Sequence, residues 1–121
     1  PWFYRIAGRC KDIINRGGMK ISPAEIDILL EGFSKVSEAA VCAYEDDLQG
    51  EKVCACVVIE PHIQPPSLED MTRFLLDCGL AKFKLPQRIE VFLSLPRNPL
   101  GKVQRFVLEE QVSHRNKGNQ L

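Results

Sequence analysis

The chain has 121 residues, 45% of them apolar and 26% charged, the composition of one soluble globular domain with a modest core. Its 16 lysines and arginines balance 16 aspartates and glutamates, which argues against general binding to nucleic acid or a charged membrane surface. The longest apolar stretch, residues 53–59, is strand-length and far short of the ~20 residues of a membrane helix.

The chain opens on Pro1-Trp2-Phe3-Tyr4-Arg5, without an initiator methionine or visible signal peptide, and reads as the middle of something longer. Next, 12–15 and 19–21 read as short strands around a Gly17-Gly18 turn. Ser22-Pro23-Ala24-Glu25 is a helix start, with a serine cap, proline at the first position and a glutamate placed to close a capping box. Ile26, Leu29, Leu30 and Phe33 then fall on one helical face.

Residues 36–44 and 53–59 read as strands joined by an acidic turn that contains Gly50. Pro61, Pro65 and Pro66 break the chain. Ser67 starts a second helix with Leu68, Met71, Phe74, Leu75 and Cys78 on one side and Gly79 as its stop. Residues 88–93 form a third strand, 103–112 a last helix, and 113–121 a frayed tail. The expected fold is α+β: a sheet of about three strands with helices packed on it, plus an N-terminal two-stranded hairpin.

The five cysteines, Cys10, Cys42, Cys54, Cys56 and Cys78, are an odd number without zinc spacing, which points to a reducing, cytoplasmic compartment. Cys54 and Cys56 alternate along a strand and face the same side as small core residues. No metal or redox role is expected of them. Basic residues gather near the two ends (Arg5, Arg9, Lys11, Arg16, Lys20, then Arg97, Lys102, Arg105), while Glu45, Asp46, Asp47 and Glu51 lie in the middle. A domain handling phosphorylated ligands would have this distribution, and so would an ordinary solvated surface.

Two segments carry chemistry. In Leu95-Pro96-Arg97-Asn98-Pro99-Leu100-Gly101-Lys102-Val103-Gln104-Arg105, two prolines fix φ and the glycine permits a turn. The result is a shaped loop that presents one ammonium group, suited to stabilising negative charge as it develops. In the second, 8–27, the paired glycines leave bare backbone that a ligand or another chain can approach closely, or they only make the turn.

Together these segments resemble a known family. Gly8-Arg9-Cys10-Lys11-Asp12-Ile13-Ile14-Asn15-Arg16-Gly17-Gly18, continuing to Pro23-Ala24-Glu25-Ile26-Asp27, is similar to the hinge-and-hairpin motif of AMP-forming acyl-CoA synthetases, which also include luciferases and peptide-synthetase adenylation domains. Asp27 replaces the usual final glutamate. The Lys102 segment resembles the family's closing motif, and Ala81-Lys82-Phe83-Lys84-Leu85-Pro86 its intervening lysine–proline stretch. The resemblance covers only the small C-terminal domain. It implies that 1–8 end a missing N-terminal adenylation domain and lead into the hinge, that 9–115 form the lid, and that 116–121 are a disordered tail.

The resemblance also implies roles. Lys102 would be catalytic in joining a carboxylic acid to ATP as an acyl-adenylate. Lys11 would be the hinge and Arg9 the ribose-binding arginine. After domain rotation, Gly17 and Gly18 would line the coenzyme A tunnel, with Arg16 and Lys20 near its phosphates. ATP and coenzyme A are implied as substrates, with Mg2+ held by the missing domain, and neither nucleic acid nor a membrane span as partner. The rival reading within the family is a lid from an aryl-acid AMP ligase that loads a carrier-protein thiol. The rival outside it is a free-standing binding module without catalytic work.

Overall fold

The run Val53-Cys54-Ala55-Cys56-Val57 lacks polar alternation because both faces of its strand are covered: all five residues are buried. The structure is a computed structural model and describes residues 13–46 and 50–119. Strands β1 (Ile14–Arg16) and β2 (Met19–Ile21) form the expected hairpin, and helix α1 (Pro23–Leu30) follows. Next come β3 (Glu38–Asp46) and β4 (Gly50–Val58), then α2 (Leu68–Asp77) and a short 3-10 turn at Lys82–Lys84. The last elements are β5 (Arg88–Phe92) and α3 (Arg105–Asn119).

The α+β class stands, with a sheet of five strands where about three and a separate hairpin were expected. β3 runs antiparallel to β4 along its whole length, from Glu38↔Val58 to Asp46↔Gly50. The other edge of β4 is shared. β5 lies parallel to it from Cys54↔Arg88 to Val58↔Phe92, and β1 joins at the single pair Arg16↔Gly50. That one pair makes the hairpin continuous with the sheet, and no local pattern announces it.

One face of the sheet, carrying Val41, Val53, Ala55 and Val57, packs on Ile26 and Leu30 of α1 and on Met71 and Leu75 of α2. The opposite face, carrying Ala40, Cys42, Cys54 and Cys56, packs on Leu108 and Val112 of α3. Phe33, in the turn after α1, stacks on Phe74 of α2 with ring centroids 4.7 Å apart.

Two local expectations are corrected. The Ser22 hydroxyl makes no capping bond; the Glu25 carboxylate takes Lys84 Nζ at 2.7 Å, so the capping box gives way to a tertiary ion pair. Ser67 does cap α2, accepting from the Asp70 N–H at 3.0 Å. The last helix starts at Arg105 and runs to Asn119, past the point where fraying was expected. Arg115 explains this: it lies 4.1 Å over the Phe92 ring and donates to Glu90 Oε1 and to the Val91 carbonyl, fastening the helix to β5.

Candidate functional site

The loop that presents Lys102 is closed at its base and braced from inside. Arg97 and Val103 form an isolated antiparallel bridge, and the Gln104 N–H donates to the Pro96 carbonyl at 2.8 Å. Within the loop, the Asn98 N–H donates to the Lys102 carbonyl at 2.9 Å and the Gly101 N–H to the Asn98 carbonyl at 2.8 Å. Asn98 Oδ1 accepts from the N–H groups of Leu100 and Lys102, at 3.0 and 2.9 Å. Gly101 sits at φ 89°, where a side chain would be strained.

The loop is also tied to the sheet. Arg97 Nη1 donates to the Gly101 carbonyl at 2.7 Å, and Nη2 pairs with Glu38 at the start of β3. Lys102 itself is exposed, and its ammonium has no hydrogen-bond or ion-pair partner among the described residues. A rigid loop thus carries one uncommitted cation. Leu100 beside it is 93% exposed.

The glycine turn is equally bare. Gly17 and Gly18 have φ of 56° and 87°, the pair of positive values that a type I′ hairpin turn requires. A Cβ on either would meet nothing within 4 Å. The Asn15 Oδ1 accepts from the Gly18 N–H at 3.1 Å and stiffens the tip. Arg16 is partly committed, since its Nη1 donates to the Phe83 carbonyl at 2.8 Å and fastens the hairpin to the 3-10 turn. Lys20 is exposed. Arg9 and Lys11 lie outside the described residues.

The two loops occupy opposite ends of the β3–β4 ribbon. The hairpin joins at Gly50, whereas the lysine loop is anchored at Glu38, the partner of Val58. From Gly50 to Val58 the strand extends about 26 Å at ~3.3 Å per residue.

A polar clamp missed in the sequence links the final residues of the two motifs. Asp27 Oδ1 accepts from the Val41 N–H at 2.7 Å, and its Oδ2 takes Arg105 Nη2 at 3.0 Å. Arg105 Nη1 donates to the Val41 carbonyl at 2.6 Å, and the Ala43 N–H donates to Glu109 Oε2 at 3.3 Å. β3 is an edge strand, and these side chains occupy backbone groups that would otherwise invite another strand. Burial pushes the Asp27 carboxyl above its ordinary range, although Arg105 and the Val41 N–H act against it.

Among the described residues, the cluster with metal-ligating side chains is Cys42, Cys54 and Cys56. Their thiols suit soft ions and not Mg2+, which takes oxygen ligands. Hydrogen bonds from Cys42 and Cys56 hold the Cys54 thiol below its ordinary range, and both donors are pushed above theirs.

An exposed lysine on a braced loop and an open glycine turn at the far end of one ribbon define a domain with two separate presenting surfaces. Residues 25–102 match the family described as AMP-binding enzyme C-terminal domain, and the chain belongs to that family. It is 39% identical over 113 residues to a medium-chain fatty-acid–CoA ligase of Escherichia coli, covering 93% of this chain and 20% of that protein. A 2,3-dihydroxybenzoate-AMP ligase of Bacillus subtilis is 36% identical over 110 residues, covering 91% and 20% respectively. A fatty acyl CoA synthetase structure from Mycobacterium tuberculosis superposes with a TM-score of 0.72 at 36% identity, covering 87% of this chain and 20% of that one. The chain thus spans about a fifth of the length of these relatives, as the C-terminal domain of adenylate-forming ligases. No described helix is long and apolar enough to cross a membrane.

Proposed function

We propose that this chain is the mobile C-terminal domain of an ATP-dependent acid–CoA ligase and works beside an N-terminal adenylation domain that binds ATP, Mg2+ and the acid. Lys102 is the catalytic cation of the first half-reaction. Its ammonium bridges the carboxylate and the α-phosphate as charge builds at attack, and pyrophosphate leaves. A compact point charge suits that bridge better than a planar guanidinium. The single observation that carries this reading is the uncommitted ammonium of Lys102 on a loop braced by Asn98 and Arg97.

For the second half-reaction the domain rotates about Lys11, Arg9 holds the ribose, and the Gly17-Gly18 turn lines the path of the incoming thiol. The absence of any atom within 4 Å of an added Cβ there supports close approach by a ligand chain. Lys20 and the remaining donors of Arg16 contact the coenzyme A phosphates in this reading. The separation of the two loops by the length of β4 supports an exchange of tools by rotation, because one orientation cannot bring both to the same adenylate.

The similarity to the Bacillus subtilis AMP ligase keeps carrier-protein loading as the second reading. ATP–pyrophosphate exchange across a panel of carboxylic acids, measured with the full-length protein, tests the adenylation claim. Thiol-acceptor assays with free coenzyme A against a phosphopantetheinylated carrier then separate the two readings. Exchange with no acid in the panel would leave only the non-catalytic binding module.

A further inference from the structure

The buried thiols of the sheet converge on one point. Cys42 and Cys54 are directly opposite in the β3–β4 register, and Cys56 is the next residue on the same face. The three Sγ atoms lie within 4.8 Å of one another, with Cys42 and Cys56 Sγ 3.8 Å apart. All three side chains have 0% exposure. The buried residues around them are Ala40, Phe92, Leu95, Leu108 and Val112, none with a side-chain nitrogen or oxygen, and Tyr44 packs against this cluster from its partly exposed margin.

Three buried sulfurs select among metals. Zinc is almost always four-coordinate, and its fourth ligand would have to be a protein group or water. The buried residues of this cluster contribute only the three thiols as ligating side chains. Soft thiolates favour cuprous copper, a closed-shell ion that needs no fourth donor. A second observation points the same way. Arg88 is paired with Cys54 across β4 and β5, and its Nη2 is buried without a hydrogen-bond partner. Its Nε is taken by Glu90 Oε2 at 2.6 Å, and its guanidinium lies 5.4 Å from the Tyr44 ring on the same face. The ion pair with Glu90 therefore leaves one buried guanidinium donor, Nη2, without an acceptor beside Cys54.

We infer that Cys42, Cys54 and Cys56 form a three-coordinate site for one cuprous ion, with Arg88 offsetting the charge of the complex. This departs from the expectation that Cys54 and Cys56 are small core residues and that no cysteine has a metal role. Binding forms three Cu–S bonds and breaks three S–H bonds. One cuprous ion and three thiols give a complex of net charge −2 and three protons released to solvent, and no electron is transferred. Because α3 covers the thiols, the ion enters when that helix lifts, and loading is slower than at an exposed cysteine. Once bound, it cross-links β3 to β4 and raises the stability of the loaded protein.

The test uses the reduced full-length protein without oxygen, titrated with cuprous ion against bicinchoninate. Cys54→Ala and Cys42→Ala are expected to bind one equivalent less than the unmutated protein, while Cys78→Ala, at an exposed position, binds the same amount. Unchanged stoichiometry in Cys54→Ala overturns the site. If the alanine variants fail to fold, the copper K-edge of the unmutated protein loaded with one equivalent decides. Three sulfur neighbours support the proposal, and two sulfurs or any nitrogen or oxygen neighbour overturns it.

Discussion

Arg105 and Asp27, 78 positions apart, hold both backbone polar groups of Val41 between them. The pair joins α1 on one face of the sheet to the first turn of α3 on the other, around the edge of β3. The Lys102 loop ends at that helix, so the clamp fixes the base from which the lysine projects. Arg105→Met removes one partner of a largely buried pair and is expected to destabilise the protein by about 1–3 kcal/mol, read by denaturant unfolding.

The same pair sets a pH dependence. The folded Asp27 carboxyl titrates above its ordinary 3.8, so the folded state keeps a proton that the unfolded chain has lost. The contribution of Asp27 to stability is therefore largest below 3.8 and declines as pH rises through the folded value. In Arg105→Met the folded value climbs further, because an opposing cation is gone. Carboxyl NMR titration of both proteins checks the order; an unmoved Asp27 would mean that the guanidinium does not act on it.

Much of this architecture was legible in the sequence, and the exceptions share a cause. Ser67 and Gly79 mark α2 because capping and chain reversal are local, and Gly17-Gly18 marks the hairpin for the same reason. The Asp27–Arg105 clamp, the Glu25–Lys84 pair and the single Arg16↔Gly50 junction each depend on residues remote in sequence. The parallel direction of β5 and the extension of α3 under Arg115 are likewise tertiary. Lys102 was visible as a loop residue, and Asn98, a residue that commonly folds back on its own backbone, was the overlooked signal for what braces it.

Asn98 is a positioning residue under this account. Asn98→Ala removes the acceptor of two loop N–H groups and leaves Lys102 in place but unbraced. A displacement of about 1 Å at such a site costs up to ~10²-fold in rate. The expected result is a fall in kcat for adenylation with little change in KM for ATP, and rescue by Asn98→Asp, which keeps the acceptor oxygen.

Gly18→Ala separates backbone strain from crowding. The added Cβ has open space, but φ of 87° is unfavourable for alanine, at a cost of ~1–2 kcal/mol. Thioester formation is expected to slow while ATP–pyrophosphate exchange continues unchanged, as rates with supplied acyl-adenylate would report.

Arg16 and Lys20 should part company. Arg16→Met loses the bond to the Phe83 carbonyl and is expected to cost about 1 kcal/mol, with faster amide hydrogen exchange along β1 and β2. Lys20 has no side-chain partner among the described residues, so Lys20→Met should change stability by less than ~0.5 kcal/mol while raising KM for coenzyme A. Thermal unfolding beside initial rates distinguishes them.

The most direct test is the split between half-reactions in full-length Lys102→Ala. ATP–pyrophosphate exchange is expected to fall by ~10²–10³, while thioester formation from supplied acyl-adenylate stays near the unmutated rate. Equal loss of both, or exchange that survives without the lysine, would contradict the assignment.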